Sequence, residues 1–338
     1  MKKIGIIGAT GVVGQEMINC LYDRNFPMSE LRLFASARSA GKKVSTPKGE
    51  LTIEEFSVEE AKKSDIVLMA VSGSFAKEYA PQITEGDAIV IDNSSAFRMD
   101  NDKPLVVPEV NAKDLKNAKI IANPNCTTAI LAVALYPIYK EFGLKKTIVS
   151  TYQATSGAGY EAMMELENET RNYLEGKEVS CDKFPSPIPF NLIPRIDIMT
   201  DNNYSKEEMK VVNETRKIFH NSELQISCTA VRIPTFRAHA ESVTIETERP
   251  INPEKVRDIL KNAKGVEVID DPKNWQFPMP LTASKKYNVE IGRIRQNIIF
   301  NEYGLDFFVC GDQLLKGAAL NAVQIAENIV GFLAKLLV

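Results

Sequence analysis

Ile4-Gly5-Ile6-Ile7 runs straight into Gly8-Ala9-Thr10-Gly11-Val12-Val13-Gly14, and no other stretch limits the fold of this chain so tightly. A short apolar, β-branched run reads as a buried strand, and the apolar periodicity from Val12 to Leu21 reads as a helix. The glycines between them allow a tight turn and a close approach of the backbone to a ligand. A strand, a glycine turn and a helix N-terminus in this order form an anion site fit for a pyrophosphate, because unpaired N–H groups and the positive end of the helix dipole face it. The pattern departs from G-x-G-x-x-G, with Ala9 in the first glycine position. Gly8, Thr10, Gly11, Val12 and Val13 are the residues expected to touch the dinucleotide.

The segments that follow keep alternating. Leu31–Ala35, Ile66–Val71, Ala88–Ile91 and Lys119–Ala122 are short apolar runs, and Phe75–Ile83 and Ala112–Leu115 have helical spacing. Such alternation predicts a mostly parallel sheet with helices on both faces, a Rossmann-type doubly wound α/β domain. From Lys146 the pattern changes. Lys146–Gln153, Ile226–Ile233, Ser242–Glu246, Val289–Arg295 and Asp306–Cys310 are longer runs with polar alternation, interleaved with helices at Glu161–Leu174 and Ser205–Phe219 and a proline-rich loop. That predicts an α+β domain on a mixed sheet with one exposed face. A final helix over 313–337, apolar at 320, 323, 325, 329, 333 and 336, is expected to pack back onto the first domain. The predicted division is 1–125 with 313–338 for dinucleotide binding and 126–312 for catalysis and dimerisation.

The second strand bears on which dinucleotide is bound. An acidic residue at its end binds a ribose 2′-OH. Here the chain reads Phe34-Ala35-Ser36-Ala37-Arg38-Ser39, with no acid. Arg38 flanked by Ser36 and Ser39 suits a 2′-phosphate, which a guanidinium grips in a fork; a solvated loop arginine is the plainer alternative. NADP is the predicted cofactor.

Asn123-Pro124-Asn125-Cys126-Thr127-Thr128 opens a second apolar run, from Ala129 to Leu135. It places a thiol at the first turn of a buried helix, where the dipole favours thiolate and the N–H groups can hold an oxyanion. Taken alone, Cys126 is read equally well as a buried structural cysteine. The five cysteines (20, 126, 181, 228 and 310) are scattered, none in C-x-x-C spacing, and there are two histidines, so no metal site is expected. A net charge of −3 gives no electrostatic case for nucleic acid or an anionic membrane. The first apolar stretch is too short for a signal peptide, and the longest uncharged run, 129–139, is too short to span a bilayer. A cytoplasmic protein is the expectation.

Together with the glycine loop, Asn125-Cys126-Thr127-Thr128, the run Ser150 to Gly159 (STYQATSGAG) and the run Arg232 to His239 (RIPTFRAH) resemble the aspartate-β-semialdehyde dehydrogenase family. Asn93-Ser94-Ser95-Ala96-Phe97-Arg98, Glu207-Glu208-Met209-Lys210, Gly292-Arg293-Ile294-Arg295 and Lys316 to Glu327 also look like it. The resemblance implies NADP-linked, reversible reductive dephosphorylation of aspartyl phosphate to aspartate semialdehyde, at the branch to lysine, methionine and threonine. It implies Cys126 as nucleophile and His239 as acid–base group, for which a pKa near neutrality is ideal. His220, near a helix C-terminus, is the other histidine. It further implies Gln153 orienting the substrate, Arg232 on its α-carboxylate, Glu207 on its ammonium, and Arg98, Lys210 and Asn125 on phosphate. Ser156, Gly157 and Gln313 are placed near the cofactor. By spacing alone, Glu207 and Lys210 are a surface ion pair. Residues 232 and 239 are an odd number apart and would face opposite ways on an unbroken strand; Pro234 predicts a break that turns both into one cavity. A homo-oligomer, with the dimer as the basic unit, is expected through the second domain. The competing readings are an N-acetyl-glutamyl-phosphate reductase and, in another class, a dinucleotide-binding redox sensor without turnover. Glyceraldehyde-3-phosphate dehydrogenase shares the Cys-Thr-Thr helix start, but the missing acid after the second strand argues against it.

Overall fold

The computed structural model describes residues 1–336, and the chain divides into two compact units. The first comprises Met1–Asn125 and the chain from Ala318 onward; the second is Cys126–Gly317.

In the first unit the order is β1 (Lys2–Ile7), α1 (Val12–Asp23), β2 (Met28–Ala35), β3 (Lys43–Thr46), β4 (Gly49–Glu55), α2 (Val58–Ala61), β5 (Ile66–Met69), α3 (Gly73–Ile83), β6 (Ile89–Asp92), α4 (Pro108–Asn111) and β7 (Ile120–Ala122). The seven strands lie in the order β3-β4-β2-β1-β5-β6-β7. All neighbours are parallel except the β3–β4 hairpin. Ile66 to Met69 and Ile120 to Ala122 are buried throughout, as strands covered on both faces must be. This is the expected doubly wound sheet. The hairpin went unpredicted because Lys43, Glu50, Glu54 and Glu55 dilute its apolar signal.

The second unit runs α5 (Cys126–Phe142), β8 (Lys146–Gln153), α6 (Tyr160–Leu174), α7 (Lys206–Ile218), β9 (Gln225–Arg232), β10 (His239–Glu246), α8 (Pro253–Lys261), β11 (Val266–Val268), α9 (Pro280–Ala283), β12 (Val289–Gln296) and β13 (Gly304–Gly311). Its six-stranded sheet has the order β11-β12-β13-β10-β8-β9. It is mixed: β8–β9 and β11–β12 are parallel, and the other pairs are antiparallel. Every residue of α5 from Thr127 to Leu135 is buried, and the helix packs on α7, α8, β12 and β13. The buried face of the sheet carries Thr147, Val149, Thr151 and Gln153 from β8, and His239, Glu241, Val243 and Ile245 from β10. The alternate residues emerge on the other face, where Ile148 is exposed and Tyr152, Ser242 and Phe308 are half-buried.

The chain ends differently from the sequence expectation. Gln313 and Leu314 lie in a turn, Leu315–Ala319 is a π-helical turn, and only then does α10 (Leu320–Leu336) begin. α10 belongs to the first unit. Arg24, the C-cap of α1, makes a paired contact with Glu327 at 2.7 Å, and the Asn321 side chain donates to the Val106 carbonyl. Residues 320, 323, 325 and 329 are buried as expected. The side chains of 333 and 336, and Leu337 at the end of the predicted helix, lie outside the described residues.

Candidate active site

The glycine loop is built as an anion cradle. Gly8 adopts φ +85, and a Cβ there would overlap the Ala70 carbonyl. A Cβ on Gly14 would overlap the Gly8 carbonyl, so the close approach of α1 to the loop requires a bare α-carbon. Gly11 stands at the N-cap of α1, with no side-chain cap and no acidic residue in the first turn. Thr10 and Gly11 are exposed, and Val12 and Val13 half-buried. These residues fit a dinucleotide pyrophosphate, because nothing of the protein's own neutralises the first turn. β2 ends at Ala35 with no carboxylate, and Ser36 to Ser39 form a short 3-10 turn. Ser36 and Arg38 are exposed, Ser39 is buried, and Arg38 forms no ion pair among the described residues. Arg98, also in this unit, is buried, and its Nε and one terminal nitrogen donate to the carbonyls of Asn123 and Asn93 at 2.9 and 2.8 Å. Asn125, the last residue of this stretch, is buried.

The second unit gathers most of the other predicted residues. Cys126 is the first residue of α5 and is partly accessible. Gly317, in the π-helical turn, lies against it: a Cβ there would stand 2.8 Å from the Cys126 Cβ. Single-turn π insertions of this kind recur at functional sites. Gln153 ends β8; its Oε1 accepts from Thr151 at 2.9 Å and its Nε2 donates to Glu207 at 3.2 Å. Glu207 is held on α7, whose first turn is fixed by a Ser205–Glu208 capping box, while Glu208 also accepts from the Ala230 N–H of β9. Lys210, one turn on, donates at 2.9 Å to both Glu207 and Asp197. Burial opposes its charge, but the two carboxylates prevail and raise its pKa. Glu207 is only 6% exposed, so this is no solvated surface pair.

Arg232 and His239 stand at the end of β9 and the start of β10. The intervening loop holds Pro234, and Ala238 adopts φ +68, so the strand direction is broken and the parity argument no longer separates them. Both border one space. A Cβ on Gly157 would lie 3.1 Å from an Arg232 terminal nitrogen and 3.3 Å from His239 Nε2. The peptide groups flanking Ala154 hold both side chains: its carbonyl accepts from Arg232 at 2.5 Å, and its N–H donates to His239 Nδ1 at 3.0 Å. The remaining Arg232 nitrogens make no hydrogen bond among the described residues. Burial lowers the Arg232 pKa, countered by Glu207 and Cys126. Gln313 braces the same corner, accepting from the Ala238 N–H at 2.7 Å and donating to the Ser156 hydroxyl. One expectation fails here. His239 is wholly buried, and desolvation, with Arg232 nearby, pushes its pKa down to about 3 instead of leaving it near neutrality. His220 is exposed just past the end of α7, at φ +52.

Residues 3–118 match the family model described as semialdehyde dehydrogenase, NAD binding domain, and residues 135–316 match semialdehyde dehydrogenase, dimerisation domain. The chain is 50% identical to the aspartate-semialdehyde dehydrogenase of Aquifex aeolicus, over 97% of its own length and 98% of that protein's. It belongs to the aspartate-semialdehyde dehydrogenase family. The Bacillus subtilis aspartate-semialdehyde dehydrogenase is 48% identical, with 96% of each chain covered. The crystal structure of aspartate semialdehyde dehydrogenase II from Vibrio cholerae superposes with a TM-score of 0.93 at 42% identity, covering 98% of both chains. An aspartate-semialdehyde dehydrogenase is thus an oxidoreductase with a Rossmann-type NAD binding unit and a dimerisation unit, and neither the acetylglutamyl-phosphate reading nor the silent-sensor reading is favoured. No described helix is long and apolar enough to cross a membrane. Among the described residues no cluster of three or more potential metal ligands occurs.

Sequence reasoning missed Ala154, Gly317, Asp197 and Thr151. Ala154 acts through its backbone and Gly317 through the absence of a side chain, so neither had a chemical signature to read. Asp197 and Thr151 act by orienting Lys210 and Gln153; Asp197 is distant from Lys210 in the chain, and Thr151, two residues before Gln153 on the same face of β8, reads only as a buried strand position.

Proposed function

We propose that the chain catalyses the reversible, NADP-linked reductive dephosphorylation of L-aspartyl 4-phosphate to L-aspartate 4-semialdehyde, through a thioester on Cys126. The Vibrio cholerae relative has been crystallised in complex with ASA, and the Candida albicans relative, 26% identical, with NADP. The observation that carries the reading is the set of complementary polar groups around Gln153: buried Glu207 paired with half-buried Lys210 on α7, with Arg232 and His239 opening on one space at Gly157.

The substrate presents a carboxylate, an ammonium and an acyl phosphate. The free Arg232 nitrogens suit the α-carboxylate by paired hydrogen bonds. Glu207 answers the ammonium, and Gln153, fixed at both ends, orients the backbone of the substrate. Lys210, Arg98 and Asn125 attract the phosphate. Cys126 attacks the acyl carbon; the C–S bond forms and the bond to the phosphate oxygen breaks. His239 faces the reacting oxygen. Nicotinamide, when bound, supplies hydride in the reductive direction. The first unit holds it: Gly8, Thr10, Gly11, Val12 and Val13 at the pyrophosphate, and Arg38 with Ser36 and Ser39 at a 2′-phosphate. Ser156, Gly157 and Gln313 are further candidates to touch it. The catalytic and dimer-forming work falls to residues 126–312, and dinucleotide binding to 1–125 with 313–338. A homodimer working in the cytoplasm completes the reading.

A phosphate-dependent assay of NADP reduction with aspartate semialdehyde tests it. Wild-type protein turns over, with a lower KM for NADP than for NAD. Cys126→Ser loses nearly all turnover, on the order of 10⁴-fold or more as for other nucleophile removals, and still binds NADP in a fluorescence titration. Turnover near the wild-type rate in that variant rules out the thioester.

A further inference from the structure

We infer that Asp312 is a positioning residue: its carboxylate ties the loop between Arg232 and His239 to the turn behind Cys126, and so sets the distance between the nucleophile and the groups that receive the substrate. The inference rests on the reading of the site given above and adds to it a residue that touches neither substrate nor cofactor.

Asp312 follows the last residue of β13, Gly311, which stands opposite His239 at the start of β10. Its side chain is wholly buried and accepts from four N–H groups, shared between two segments. Oδ1 accepts from the N–H groups of Leu314 at 2.9 Å and Leu315 at 3.1 Å, the pattern of an N-cap. The Asp312 carbonyl accepts from the Gly317 N–H at 3.1 Å, the five-residue span of a π-helical bond. Gly317 lies against the Cys126 Cβ, so the turn that Asp312 heads is the one behind the thiol. Gly311 gives a second support: a Cβ there would stand 2.8 Å from Ile130, one turn along the helix that Cys126 begins.

Oδ2 serves the other segment. It accepts from Arg237 Nε at 2.5 Å and from the Lys285 N–H, just past α9, at 2.6 Å. Arg237 lies in the loop between β9 and β10, two residues before His239. The next residue, Ala238, holds φ +68, and its N–H donates to Gln313. An alanine stays left-handed only where its surroundings hold it there. Asp312 and Gln313 do so side by side, one on the Arg237 guanidinium and the other on the Ala238 N–H. That turn is what brings Arg232 and His239 to one space at Gly157. The Arg237 side chain is 18% exposed and that of Asp312 0%, so the pair is charge-assisted and shielded from solvent, unlike a surface ion pair. Two equivalent oxygens are what the arrangement requires. Asparagine at 312 keeps an acceptor for the cap but turns an amide N–H toward Arg237 and Lys285, and so releases the loop alone. Alanine releases both segments. Both variants are neutral at this position, so a difference between them does not come from the lost charge.

The test uses the full-length protein. Asp312→Asn is expected to lose at least about tenfold in kcat, the order of cost of a small misplacement of reacting groups. Its KM for aspartate semialdehyde is expected to rise at least about threefold, because Arg232 is on the released loop. A smaller folded fraction lowers kcat and leaves KM alone. Iodoacetamide labelling, read peptide by peptide by mass spectrometry, follows the cysteines. Cys126 is expected to label within about twofold of the wild-type rate in Asp312→Asn and to change at least about fivefold in Asp312→Ala. Cys228 and Cys310 are buried and stay unlabelled as long as the fold is intact. Arg237→Gln breaks the same contact from its other side, so the double variant with Asp312→Asn is expected to lose no more kcat than the worse single variant. Wild-type kcat in Asp312→Asn overturns the inference. So does an unchanged Cys126 rate in Asp312→Ala, a loss of activity that arrives with labelling of Cys228 and Cys310, or losses that multiply in the double variant. If Asp312→Ala does not fold, Asp312→Asn and the double variant decide. Wild-type protein that does not turn over aspartate semialdehyde refutes the proposed reaction, a distinct result, and the Cys126 labelling rates then decide for or against Asp312.

Discussion

Glu241 is wholly buried on β10, opposite Thr151 of β8 and Val309 of β13, and neither of its carboxyl oxygens has a hydrogen bond. Desolvation raises its pKa well above 4.5, so the folded protein keeps a proton that the unfolded chain releases. A raised carboxyl pKa gives stability that is complete below the unfolded value of 4.5 and lost as pH rises beyond it. Glu241→Gln, a neutral isostere, is therefore expected to melt at a higher temperature than wild type near about pH 8 and to converge with it as the pH falls toward 4.5. Thermal denaturation across that range checks this, and a variant that melts lower than wild type at about pH 8 contradicts it. His239 acts in the opposite sense: its lowered pKa contributes stability that is present above 6.5 and lost as pH falls toward about 3. At this scale the sequence told a great deal about identity and little about state. Cys126, Gln153, Glu207, Lys210, Arg232 and His239 were all legible as chemical groups. The low basicity of His239 was not, because burial and the neighbouring Arg232 set it, and neither leaves a mark on the residue itself.

Among the elements, the π-helical turn Leu315–Ala319 is the one with the most direct bearing on the thiol. Gly317 is in contact distance of Cys126, and a methyl group there stands 2.8 Å from the Cys126 Cβ. Both neighbours are backbone-anchored, so the overlap is relieved only by shifting one of them. Gly317→Ala is expected to cost about 1–3 kcal/mol by overpacking and to lower kcat at least tenfold by displacing the sulfur, while the KM for NADP changes little. Thermal melts and steady-state kinetics read the two effects separately; unchanged kcat shows that the turn is only a spacer. The sequence Lys316-Gly317-Ala318-Ala319 has the composition of an ordinary helix, which is why a continuous helix from Gln313 was the natural expectation. Strands fared better. β8 was legible to the residue, because alternation over eight positions and a buried face leave no other register. The β3–β4 hairpin was not legible, since it closes one end of the sheet, with β3 as the edge strand, and its charged residues are ones a sheet edge tolerates.

For the whole molecule, what matters is a sheet fully covered on one side and only partly on the other, where Ala283 of α9 packs on Ala240 and Cys310. In the second unit α5 and α7 occupy the face that carries His239 and Gln153, while Ile148, 49% exposed, with Tyr152 and Phe308, lies on the other. Composition and alternation were enough to foresee such a face, but not which of its residues emerge, because that depends on how six strands from distant parts of the sequence pair. If this face is the dimer contact, Ile148→Lys places a desolvated charge in it and is expected to shift the protein toward monomer in sedimentation velocity; an unaltered sedimentation coefficient removes Ile148 from the contact. A half-covered sheet also ties folding to mass action. If another copy completes that layer, dilution becomes a denaturant: the melting temperature of the wild-type protein should then fall as its concentration is lowered, and that of Ile148→Lys should be low at every concentration.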